Sequence, residues 1–129
     1  DLHSFPTRRS SDLNRQTMLA SSEWDLFLKA VAHIGDNEHA TCLAQVPWAN
    51  TEDDDAPREY LWFRVVEVSG DTILGELAHK PSIVTSLEEG AKENITSDDI
   101  SDWVVMTPVG PMGPGDREAI DGFLDQFKG

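Results

Sequence analysis

The chain has 129 residues, of which 39% are hydrophobic, a formal net charge of -14 and one cysteine, Cys42. That length is one domain, able to bury a core without disulfides or a structural metal, and a lone cysteine excludes an intramolecular disulfide. No apolar run approaches the ~20 residues of a membrane-spanning helix, and the acidic balance argues against nucleic-acid backbones and anionic membranes, which require a basic footprint.

Residues 1–13 contain Leu2-His3-Ser4-Phe5-Pro6-Thr7-Arg8-Arg9-Ser10-Ser11-Asp12-Leu13, which reads as a translated sequencing-adapter segment, so Arg8-Arg9 is not taken as a targeting signal. Residues 1–21 are expected to be an artefactual or disordered segment and residues 22–129 a single domain. Nothing at the start has the order of a secretory signal, and a cytoplasmic location is the expectation.

Ser22-Glu23-Trp24-Asp25 has the form of a capping box, with the Ser22 hydroxyl and Asp25 placed to answer exposed N–H groups. A helix is predicted from there to about Gly35, with Trp24, Phe27, Leu28, Val31 and Ala32 as its core stripe. Ala40 to Val46 alternates weakly and reads as a strand ended by Pro47, which cannot donate to a ladder. Asn50 to Pro57, carrying Glu52, Asp53, Asp54 and Asp55, is polar, acidic and closed by proline, as a solvated mobile loop would be.

Tyr60 to Val68 is a long apolar strand, Ser69-Gly70-Asp71 a tight turn, and Thr72 to Ala78 the returning strand. Gly75 interrupts that strand and suggests a bulge or a close approach by another backbone. Pro81 to Leu87 is a connector, Glu88-Glu89-Gly90 a turn, and Lys92 to Thr96 a short strand. Ser97 to Ile100 can form one capped helical turn before a buried strand at Trp103 to Met106, with Trp103 in the core. Pro108 to Gly115 is rich enough in proline and glycine to read as a semi-rigid linker. Asp116 can then cap a final helix with Ile120, Phe123, Leu124 and Phe127 on one stripe, packing on its own sheet or docking on another chain.

The segment Glu59-Tyr60-Leu61-Trp62 through Gly75-Glu76-Leu77, answered by Ile100-Ser101-Asp102-Trp103, resembles the YegJ-like bacterial family, number 2314 in the domain-of-unknown-function series. The family's pattern is a Glu-x-x-Trp strand, a turn, a Gly-x-Leu strand and a late Ile-Ser-Asp-Trp. The resemblance covers about residues 45–107 and implies no established activity. Where members usually follow the glycine after the connector with an acid and a valine, this chain has Ala91, Lys92 and Glu93, and the family's closing glycine-rich hairpin is replaced by the proline-rich stretch.

Candidate chemistry is sparse. Cys42 with His33, His39 or His79 lacks the elbow and orienting acid of a nucleophile, so a buried structural cysteine is the favoured reading. His33, Asp36, Glu38 and His39 are close in sequence but do not share a helical face, and Asp53-Asp54-Asp55 lacks the alternating oxygens and distal glutamate of a calcium loop. Asp98, Asp99 and Asp102 gather near Trp103, where capping of backbone N–H groups explains them more simply than a raised pKa. No metal site, cofactor or catalytic set is implied.

The expected architecture is α+β: an N-terminal helix, a strongly bent antiparallel sheet of about five strands that can close into an SH3-like barrel, and a C-terminal helix. The expected function is a non-catalytic protein-interaction module with a basic protein partner, using Glu52, Asp53, Asp54, Asp55, Asp102 and Trp103. An immunity-like inhibitor of a basic toxin or nuclease is its pointed form, and a small hydrolase or ligand-binding enzyme centred on Asp102, Cys42 or a histidine is the alternative.

Overall fold

The computed structural model describes residues 10–34, 40–51 and 55–126. Helices α1 (Ser10–Ser22) and α2 (Trp24–Ile34) precede strands β1 (Thr41–Trp48), β2 (Glu59–Ser69), β3 (Thr72–Leu77), β4 (Lys92–Ile95), β5 (Asp102–Thr107) and β6 (Gly110–Met112), and helix α3 (Arg117–Asp125) follows. All strand pairs are antiparallel, in the order β4-β3-β2-β1-β5-β6. The class is therefore α+β, as expected, but among the described residues the sheet has six strands and stays open. The SH3-like closure does not occur: β4 and β6 end the sheet unpaired with one another, because helices, rather than a second half of the sheet, cover its apolar face.

That face is set by strand alternation. Cys42, Ala44 and Val46 of β1, Leu61 and Phe63 of β2, Ile73 and Leu77 of β3, and Trp103 and Val105 of β5 are all buried. Helix α2 lies over β1, β2 and β5, and α3 packs against α2. An aromatic run joins the layers: Trp24 and Phe27 have ring centroids 5.1 Å apart, and Phe27 and Trp103 also 5.1 Å apart. Such pairs add to burial when tilted or offset, as here. The Trp24 indole also donates to the Asp71 carbonyl at 2.8 Å, tying the start of α2 to the β2–β3 turn.

Several local expectations change. The capping box at Ser22 does not form: its hydroxyl donates back to the Leu19 carbonyl in the last turn of α1, and the Glu23 carbonyl accepts the Phe27 N–H that begins α2. Local pattern predicts no element before Ser22, whereas α1 runs up to it with Ala20 fully buried. Ser10 to Leu13, part of the suspected adapter segment, begin α1, and residues 1–9 lie outside the described residues. The buried face of α2 is Trp24, Leu26, Phe27, Ala30 and Ile34, rotated from the predicted stripe, with Ala32 exposed.

Pro47 does not end β1, which continues to Trp48. The Gln45 carbonyl accepts from Ser101, so Gln45, and Pro47 two residues on, face the β5 side, where the ladder has already stopped at Gln45–Asp102. A missing N–H costs nothing there. Near Gly75 the register slips between Val65 and Glu67 on β2. The close approach is by side chains, not by another backbone: a Cβ at Gly75 would stand 2.8 Å from Phe63 Cβ and 2.9 Å from Ile95 Cδ1.

The proline-rich stretch is no linker. Its Gly110–Met112 pairs with β5, and Gly110, at φ 125°, makes the turn that few other residues could. Asp116 precedes α3 without capping it by side chain; its Oδ2 accepts the Gly113 N–H at 2.8 Å instead. Helix α3 packs on its own fold through Ile120 and Leu124, and Phe127 lies outside the described residues.

The connection from β3 to β4 covers the far end of the same apolar face, with Val84 buried there. Its backbone is gripped by two side chains. The Glu59 carboxylate accepts from Ser82, Ile83 and Val84 N–H at 2.7 to 3.0 Å, and Asn50 Oδ1 accepts from Thr85 at 2.7 Å and Ser86 at 3.2 Å. These bonds hold the Glu59 pKa below the ordinary carboxylate value, since they favour the charged form.

Candidate functional site

The opposite face of the sheet carries the alternate residues and is left largely to solvent: Tyr60 is 45% and Met106 41% exposed. Across it, Gln45 stands between Trp62 and Asp102, and Leu43 between Arg64 and Val104. A cleft of about 640 Å³ opens at the β5–β6 end of this face. Leu43, Trp62, Val104 and Met106 of β1, β2 and β5 form its apolar floor, Gln16 of α1 one wall, and Pro111 to Asp116 the other.

Asp102 sits in this cleft in a fixed orientation. Its Oδ1 accepts the Trp103 N–H at 2.8 Å and the Gln16 side-chain amide at 3.1 Å. The Trp103 N–H points off the edge of β5, where β6 does not reach, so the carboxylate satisfies a donor that would otherwise be orphaned. Asp116, across the cleft, is pinned likewise through Oδ2 to Gly113. Among the described residues that line it there is no lysine or arginine. The nearby cations are turned away: Arg64 pairs with Glu76 of β3, and Arg117 faces Glu23 at 3.7 Å and Asp25 at 3.6 Å.

Of the residues singled out from sequence, Asp102 and Trp103 border the cleft, with the Trp103 side chain fully buried beneath it. Asp55 is exposed and is not part of the lining, and Glu52, Asp53 and Asp54 lie outside the described residues. Asp98 and Asp99 stand apart from Asp102. Asp99 Oδ2 accepts the Thr96 N–H and hydroxyl, closing the β4–β5 turn, and both acids border a different hollow of about 400 Å³ with Trp48, Arg58 and Glu93.

The candidates for catalysis are not assembled. Cys42 is buried on the helix side of the sheet, and burial pushes its thiol up to about 12. His33 Nδ1 bonds the Lys29 carbonyl within its own helix. His79 Nε2 accepts the Trp62 N–H at 3.1 Å, which assigns the ring proton to Nδ1 and occupies the nitrogen a base would use. His39, Asp36 and Glu38 lie outside the described residues, and among those described no group of three or more His, Cys, Asp or Glu is placed to hold a metal.

Most of the cleft is not legible in the sequence. Leu43, Trp62, Val104 and Met106 differ from core residues only in parity along their strands, and that parity becomes legible once the register is fixed. Gln16 and Asp116 come from segments read as unstructured and as a cap.

The family model described as "Uncharacterized protein conserved in bacteria" matches residues 13–114. The chain belongs to that family, DUF2314. The match is wider than the 45–107 stretch recognised from motifs. It takes in α2, nearly all of α1 and the β5–β6 hairpin, so DUF2314 includes both the floor and most of the walls of the cleft, up to Pro114. No curated protein and no solved structure matches the chain. No described helix is long and apolar enough to cross a membrane.

Proposed function

We propose that this protein is a non-catalytic interaction module of the bacterial cytoplasm that holds a basic protein partner on the open face of its sheet. The observation that carries this reading is the cleft over Leu43, Trp62, Val104 and Met106, an apolar concavity with Asp102 and Asp116 in its lining, in a chain of net charge -14. Apolar floors with charged rims are the usual anatomy of protein-binding surfaces, and opposite charge speeds encounter. An immunity-like inhibitor of a basic toxin or nuclease is the pointed form of the same proposal. The face is favoured over the sheet edges, because β4 has four residues and β6 three, one of them Pro111, which makes both poor templates for an added strand.

The test compares wild type with Trp62→Ala as bait in bacterial lysate, eluted along a salt gradient and read by mass spectrometry. Trp62 is only half-buried and its removal leaves the helix-side core intact. The expected result is a specific basic protein held by the wild type, released as salt rises, and lost with Trp62→Ala. A partner held equally by the variant would move the function off this face.

A further inference from the structure

We infer that the cleft recognises one cationic side chain, arginine or lysine, of a protein partner, with the cation held between Asp102 and Asp116. The inference rests on the interaction reading above and names what that site reads.

Three features converge on it. Each of the two carboxylates commits one oxygen to a main-chain N–H, Asp102 Oδ1 to Trp103 and Asp116 Oδ2 to Gly113, both at 2.8 Å. Among the described residues the other oxygen of each takes no hydrogen bond, so each acid is oriented by the fold while keeping an acceptor for a ligand. Pre-oriented acceptors lose less entropy on binding, and charge-assisted bonds to them are the strong ones.

The floor beside them suits the rest of such a residue. Leu43, Val104 and Met106 offer apolar surface to the methylene stem of a lysine or arginine, which buries its stem and keeps its head polar. The Trp62 ring, also in the lining, presents the aromatic surface that attracts cations. Two neighbouring cations among the described residues are engaged elsewhere: Arg64 by Glu76, and Arg117 by Glu23 and Asp25. A second copy of this chain is disfavoured as occupant, since two molecules of charge -14 repel.

The probe is a synthetic peptide, acetyl-Leu-Arg-Leu-amide extended by one alanine at each end, against the same peptide with citrulline, the neutral isostere of arginine. Binding is read from amide NMR shifts of the full chain. The arginine peptide is expected to shift the Trp103 and Gly113 amides saturably, the citrulline peptide to bind at least fivefold more weakly, and Asp102→Asn and Asp116→Asn to weaken the arginine peptide by a similar factor. Asparagine keeps the oxygen that each main-chain N–H needs, so both variants should fold, and matching thermal unfolding checks this. Equal binding of the two peptides would overturn the cation assignment while leaving an apolar interaction face. Absence of any peptide shift, with a lysate partner still lost by Trp62→Ala, would overturn this inference alone. Loss of both signals would overturn the interaction reading with it.

Discussion

The indole Nε1 of Trp103 donates to the main-chain carbonyl of Ala20 at 3.0 Å, a buried bond between residues 83 positions apart in the chain. It fastens α1 along the part of β5 that β6 leaves uncovered. Two further bonds run beside it, from the Thr17 hydroxyl to the Ser101 carbonyl at 3.4 Å and from Gln16 to Asp102. Trp103→Phe keeps a ring against Phe27 but strands the Ala20 carbonyl in the core. An unsatisfied buried acceptor costs about 1–3 kcal/mol, and the lost ring volume adds to that. The expected loss is about 2–4 kcal/mol in urea unfolding. Hydrogen exchange should quicken in α1 more than in α2, whereas uniform quickening would mean that α1 is not fastened by this bond.

Gly75→Ala tests the crowding between β2 and β4. The new methyl would fall 2.8 Å from Phe63 Cβ, an atom rooted in the backbone that cannot step aside as the Ile95 methyl can. Overpacking of this kind costs about 1–3 kcal/mol. A denaturation midpoint equal to wild type would show that the strands separate freely there.

Cys42 should be inert in the folded protein. With its thiol pushed up to about 12 from 9.0, almost no thiolate exists near neutrality, and the side chain is buried. Iodoacetamide is expected to label it only as fast as the protein unfolds. The folded state binds the thiol proton more tightly than the unfolded chain does, so this group's share of stability is whole below 9.0 and declines as pH climbs from there toward about 12. Rapid labelling of the native protein at neutral pH would contradict the burial.

Glu59 has the opposite sign. Its folded pKa lies below its ordinary value, through the hydrogen bonds from Ser82, Val84 and Ile83. Its contribution is therefore whole above the ordinary carboxylate range and is lost as pH falls through the depressed folded value. Glu59→Gln, which brings an amide donor against amide donors, should lower the melting temperature near neutrality and flatten its fall below about pH 4. Parallel melting curves for wild type and variant across that range would show that the carboxylate is not the group being titrated.

The long β2–β3 hairpin, the position of Trp103 in the core and the apolar stripe of α3 were legible because each is written in local pattern: alternation, the Ser69-Gly70-Asp71 turn, helical spacing. Helix α1 was not. Among its described side chains it is held by polar bonds from Gln16 and Thr17, by the buried Ala20 and by the half-buried Leu19, while Met18 is 71% exposed. A hydrophobic stripe is the wrong signal for such a helix. Strand β6 was hidden for a different reason: Gly110 and Pro111 break propensity rules that matter inside a sheet and lapse at its edge. Asp102 was read correctly as a backbone cap, although the N–H it receives is that of the next residue rather than one from a neighbouring strand. The open sheet followed from helices that supply a layer the sequence reading expected the strands to provide.

The grip of Glu59 and Asn50 on residues 82–86 takes hold chiefly of main-chain amides, with the Thr85 hydroxyl added at 3.3 Å from Asn50 Oδ1. Every residue except proline offers the same N–H, so the instructions for this loop are stored at the ends of β1 and β2, more than twenty positions upstream. Substitutions within 82–86 should then be cheap so long as none is proline and Val84 stays apolar, while the same changes at positions 50 and 59 erase the loop's shape. A family built this way can vary the surface of that connection widely, and its record of constraint will sit at two polar residues whose work is to shape a loop.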